Sequence, residues 1–195
     1  MSFDYSVAIE QANWPTPAAI NRCVAELQYP VRLAGIPASK MDAPLETNPD
    51  SLGLIVEFEG AGVPLETSIT QLGPNSPYAY GLSKKAPAIS EKTLPDGRKI
   101  GIYDPMAAGA LEPRDLNTDL KEIGVASPSF KYGDYVVTLS FRSEVAEIRA
   151  GSFLLAGLIK CFHGLGFELQ GPSFGTEKYA DDLARSAADP KVWKR

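Results

Sequence analysis

A serine framed by glycines is the first place to look for chemistry. Gly171-Pro172-Ser173-Phe174-Gly175 fits G-x-S-x-G and lies between a segment that reads as strand and one that reads as helix, the setting of a nucleophile elbow. A serine hydroxyl attacks only when a base removes its proton, and the sole histidine is His163. That histidine precedes the serine, the reverse of the hydrolase order, and at a helix end its imidazolium would simply complement the helix dipole. The parallel βαβ repeats of a hydrolase sheet are missing too. The motif therefore reads as a Gly/Pro-rich turn, and no residue is assigned a catalytic role.

Metal and cofactor chemistry lack ligands. One histidine with two distant cysteines, Cys23 and Cys161, does not make a zinc set, and Cys161 and His163, two apart, diverge on a helix. No EF-hand spacing occurs, so the scattered acids read as solvated surface. The phosphate-binding G-x-x-x-x-G-K-[ST] is absent, and Gly164-Leu165-Gly166 follows a helix, where a glycine stop is the simpler reading. No metal and no cofactor is expected. The cysteines read as two buried, reduced thiols of a cytosolic protein, because a single long-range disulfide has no framework behind it.

Glu57, Glu59 and Glu66 form the polar cluster that stands out. They belong to two alternating segments, Leu54-Ile55-Val56-Glu57-Phe58-Glu59 and Leu65-Glu66-Thr67-Ser68-Ile69, which read as a hairpin. With Ala61-Gly62 as a two-residue turn, Phe58 falls opposite Leu65, Val56 opposite Thr67, and Glu57 opposite Glu66. The apolar side chains then share one face and the three acids the other. Two carboxylates directly opposite each other repel by several tenths of a kcal/mol. Such a pair needs water to screen it or a cationic partner to compensate it, and the second case makes these three residues the candidate binding site.

The elements that must carry this hairpin are legible in patches. Phe3, Tyr5, Val7 and Ile9 alternate as a first strand. Thr16 and Pro17 open a helix with the stripe Ile20, Val24 and Leu27, Pro30 ends it, and Val31-Arg32-Leu33 begins a second strand. Residues 73–133 contain seven prolines and read as a loop-rich excursion, with a hairpin around Pro95-Asp96-Gly97 and at most a short helical turn within 105–122. Residues 134–142 form a central strand. Ser143 caps a long helix to Phe162, apolar almost all round and ended by Gly164 and Gly166; a strand at 167–169 and a helix at 176–187 follow.

The 195 residues suit one domain, and the pattern predicts a single α+β domain over 1–195: a mixed or antiparallel sheet, the long buried helix packed on it, and two further helices. A net charge of −5 and a pI near 5.0 argue against nucleic acid and agree with a basic protein partner. No apolar run spans a membrane and the N-terminal residues carry no basic leader, so a cytoplasmic protein is expected. The expected function is non-catalytic binding of a partner protein through an acidic surface, in the manner of an immunity protein or antitoxin. The alternatives are a small enzyme using carboxylates or an unrecognised cofactor, and an accessory subunit of a bacterial or phage assembly. The sequence fixes no oligomeric state.

Overall fold

Seven antiparallel strands form the central layer. The computed structural model describes residues 3–72, 90–93, 99–102, 113–125, 128–142, 144–168, 173–189 and 191–192. Its strands are β1 (Phe3–Ile9), β2 (Val31–Ala34), β3 (Asn48–Phe58), β4 (Ala61–Gln71), β5 (Ser90–Thr93), β6 (Lys99–Ile102), β7 (Tyr135–Phe141), β8 (Leu165–Glu168) and β9 (Phe174–Gly175). The helices are α1 (Pro17–Glu26), α2 (Pro113–Glu122), α3 (Val145–Cys161) and α4 (Glu177–Ala188). The main sheet runs β2-β3-β4-β7-β1-β8-β9, and β5 pairs with β6 as a separate ribbon. The turn expected around Pro95-Asp96-Gly97 lies outside the described residues.

Alternation along the strands divides the core in two. In β1, Val7 and Ile9 face the layer containing α1, α3 and α4, whereas Ala8 faces the opposite side and joins a second cluster with Val136, Leu165 and Phe167. The same side of the interior strands β1 and β7 also carries hydroxyls: Ser6 and Thr138, both buried and directly paired, hydrogen-bond at 2.7 Å. The second cluster is covered by α2 through Leu116 and Leu120. A full helix here exceeds the short turn expected from sequence. The i, i+4 leucines and a proline at the first helical position are its signature, diluted by the surrounding prolines.

Local chemistry explains the helix ends. The Thr16 hydroxyl accepts from the Ala19 amide at 3.2 Å and Pro17 occupies the first helical position, as the sequence predicts. In α3 the N-cap is Glu144, without a side-chain cap bond, and Ser143 lies outside the described residues. In the first turn Glu147 reaches back to accept from the Arg142 amide at 2.8 Å, which ties the start of α3 to the end of β7. At the other end the left-handed residue that stops α3 is His163, at φ 54°, and not a glycine. Gly164 and Gly166 serve close approach: a Cβ at Gly164 would lie 2.5 Å from Val7 Cγ1, and one at Gly166 would lie 2.7 Å from the Tyr179 ring.

The expectation of reduced thiols is overturned. Cys23 and Cys161 are joined by a disulfide with Cα atoms 6.2 Å apart, tying α1 to the C-terminal end of α3. Their separation of 138 residues follows no sequence rule; it is the crossing of the two helices that brings them together. Gly157 makes that crossing close, since a Cβ there would sit 2.9 Å from Val24 Cγ1.

Candidate functional site

The β3–β4 hairpin exists, with a different turn. Glu59 and Gly60 occupy its two central positions at φ 49° and 83°, the two positive angles of a type I′ turn, which matches the twist of the flanking strands. Phe58 therefore pairs with Ala61, Val56 with Val63, Leu54 with Leu65, and Glu57 with Gly62. The predicted pairing of Glu57 with Glu66 is wrong: Glu66 stands opposite Gly53. Four residues of strand, roughly 13 Å, separate the two acids along the hairpin, so no direct repulsion exists between them.

Each of the three carboxylates is held by an arginine that the sequence reading did not select. Arg32 on the neighbouring edge strand donates from Nε and Nη2 to Glu57 Oε2 at 3.2 and 3.0 Å. Arg142, just past β7, donates in the same way to Glu66 Oε2 at 2.9 and 2.6 Å, and this bond pushes the guanidinium pKa up from its ordinary value. Arg149 of α3 bonds Glu59 at 2.8 Å and the Ala187 carbonyl at 2.7 Å, with its guanidinium 4.9 Å from the centre of the Phe58 ring. Glu59 is thereby drawn to the helical layer, away from the outer face that Glu57 and Glu66 share. Parity in the sequence puts Arg32 and Arg142 on the same outward face as Glu57 and Glu66, but strand order, which parity does not give, decides which arginine meets which acid.

A cleft of about 520 Å³ opens beside Glu66. It forms because residues 61–65 of β4 run past the stretch that pairs with β7, which starts at Glu66, while the chain leaves β7 at Arg142 to enter α3. Gly53 and Gly62 give it a floor of bare backbone, and Val63 and Pro64 form one wall. Glu66, Glu144, Glu147 and Arg142 supply its charges, three carboxylates against one guanidinium. Next to it on the same face Ile55, 45% exposed, stands between Gly35 and Gly62. The whole is an apolar projection and a small-residue trough with a charged rim. Such a surface can seat a protruding side chain; it presents no nucleophile, and Glu147 is committed to the Arg142 amide.

The remaining candidates stay apart. His163 belongs to the turn entering β8, and Ser173 lies at the far end of that strand, where its carbonyl accepts from Glu168. The four-residue strand between them is roughly 10 Å long, which takes the imidazole out of reach of the hydroxyl. Gly171 and Pro172 of the motif lie outside the described residues. Among the described residues no cluster of three histidine, cysteine or acidic side chains is arranged to hold a metal, and no helix is long and apolar enough to cross a membrane.

A second polar cluster was not anticipated. Tyr5 of β1 faces Glu168 of β8, and burial together with that carboxylate pushes the phenol pKa up to about 12. Tyr179 of α4 lies over Gly166 and Gly175, and burial raises its phenol as well. No family model matches the chain, and neither a curated protein nor a solved structure shows significant similarity to it.

Proposed function

We propose that this is a non-catalytic cytoplasmic binding protein of the immunity or antitoxin type, which neutralises a basic partner protein through the outer face of β2, β3 and β4. The observation that carries the reading is the cleft beside Glu66, where a floor of glycine backbone meets an excess of carboxylates on a face that also exposes Ile55. An apolar centre with a charged rim is the usual anatomy of a protein interface, and local negative charge selects for a lysine or arginine entering the trough. The chain's acidic balance points the same way.

The three glutamates take unequal parts in this reading. Glu66 lines the cleft, Glu57 lies outside it on the same face, paired with Arg32, and Glu59 at the hairpin tip is turned to Arg149 and the helical layer, so its part is the least direct. The test is association kinetics of Glu57→Gln/Glu66→Gln against the partner recovered by native pull-down, at low and high ionic strength. Glu59→Gln is assayed separately because it leaves Arg149, whose side chain is 12% exposed, without its carboxylate. Slower association at low salt, converging with the wild type at high salt, is expected. Unchanged kinetics at low salt would remove this face from the interface. The enzyme alternative is tested by a fluorophosphonate probe, which should leave the protein unlabelled; labelling lost in Ser173→Ala would reverse the order of the two readings.

A further inference from the structure

The cysteine pair supports an assignment that does not depend on the binding face. Cys23 lies on α1 and is 4% exposed, sealed between α1 and α3. Cys161 is the last residue of α3 and only partly buried, so of the two cysteines it is the one more open to solvent. The Cys23 sulfur also lies 3.3 Å from the Gly157 carbonyl oxygen. In the disulfide that contact carries no proton. In the reduced protein it is a place for the Cys23 thiol to donate. One packing of α1 on α3 thus accommodates both redox states, and the reduced state leaves no buried polar group to be rearranged.

We propose that Cys161 is a thiol-modification site for small disulfides of the glutathione class, and that Cys23 resolves the adduct into the intramolecular bond. The Cys161 thiolate attacks one sulfur of oxidised glutathione and expels one glutathione thiolate, giving a mixed disulfide at Cys161. The Cys23 thiolate then attacks the Cys161 sulfur and expels the second. The protein gives up two electrons and two protons, and oxidised glutathione becomes two thiols. Exposure sets the order of the steps. Proximity sets the outcome, since Cα atoms 6.2 Å apart lie within the reach of a disulfide. A chain that folds with free thiols in a reducing compartment would in this way acquire its staple on oxidation without changing shape. The staple lies at the opposite end of the 17-residue α3 from the cleft, about 25 Å away along the helix, so the binding face is the same in both states.

The experiment is intact-mass analysis of the reduced full-length chain exposed to oxidised glutathione. Wild type should lose two hydrogens with no lasting adduct. Cys23→Ser should accumulate one glutathionyl group, and Cys161→Ser should remain unmodified over the same period. Serine at 23 keeps a donor for the Gly157 carbonyl, so the variant retains the local hydrogen bond. Quenched alkylation and peptide mapping of the wild type identify the first cysteine consumed without any variant. An adduct on Cys161→Ser as rapid as that on Cys23→Ser, or Cys23 consumed first in the wild type, would overturn the order. A wild type that keeps both thiols or stops at the adduct would overturn the staple.

Discussion

Gly151→Ala is a substitution whose sign depends on how α3 sits on the sheet. In an isolated helix, alanine for glycine stabilises by about 1 kcal/mol. Here the added Cβ would lie 2.3 Å from Phe141 Cε1, 2.6 Å from Cζ and 3.2 Å from Leu139 Cδ1. Those atoms have little room to move: Phe141 is 1% exposed, belongs to the central strand β7, and is flanked by the Tyr5 ring at 5.7 Å. Overpacking of this kind costs about 1–3 kcal/mol, and a rigid ring places it at the upper end. The net expectation is a loss of about 2 kcal/mol. With a urea m-value of roughly 2–3 kcal/mol/M for a chain of this size, the midpoint should fall by about 0.7–1 M at unchanged slope, read by far-UV circular dichroism. Phe141→Leu should restore part of the loss in the double variant, because the clash is with the ring. A Gly151→Ala protein as stable as wild type, or more so, would show that α3 does not rest on Phe141 and would refute the packing argument.

Two further outcomes follow from contacts elsewhere. Asn21 of α1 donates to the Leu33 carbonyl at 3.2 Å and accepts from the Leu33 amide at 2.7 Å, which closes the outward side of edge strand β2. Asn21→Ala should cost about 1–2 kcal/mol and produce concentration-dependent association in sedimentation velocity; a variant that stays monodisperse with wild-type stability would contradict this. Tyr5, raised from 10.0 to about 12, holds its proton more tightly when folded, so its contribution is complete below pH 10 and is lost as the pH climbs through about 12. Wild type should therefore lose stability over that window faster than Tyr5→Phe, and parallel alkaline profiles would show that the phenol is not specially held.

Local rules carried the reading a long way where neighbours in sequence decide the structure. Thr16 and Pro17 mark α1 because a cap and a first-turn proline act within four residues. The strand at 134–142 and the buried helix after it are visible because their burial extends over many positions. The hairpin is subtler. Sliding the turn from Ala61-Gly62 to Glu59-Gly60 changes every partner by an even number of residues, so Leu54, Val56 and Phe58 still share a face with Val63, Leu65 and Ile69. Hydrophobic alternation fixes parity and leaves the partners open. Pairing Leu54 with Leu65 and Val56 with Val63 selects one register, helped by a glycine able to hold φ 83°. The arginine partners, the cleft and the disulfide were hidden for a different reason. Glu66 meets Arg142 and Glu59 meets Arg149 at separations of 76 and 90 residues, set by strand order and helix placement, which no local pattern encodes.

The position of β1 has a consequence for how the chain comes together. This strand lies between β7 and β8 in the finished sheet, and its partners at residues 135–141 and 165–168 follow it by more than a hundred residues. At roughly 5–20 residues per second, synthesis of the intervening ~130 residues takes on the order of ten seconds, during which β1 has neither neighbour. The β3–β4 hairpin and β2 beside it need no such wait. When β7 appears it must bond β4 on one side and β1 on the other, so its arrival joins an early-formed half of the sheet to a strand that has been waiting for both of its partners. That dependence on distant pairings predicts slow, cooperative folding with a late transition, and makes the interval before β7 emerges the time when the nascent chain most needs protection from pairing with its neighbours.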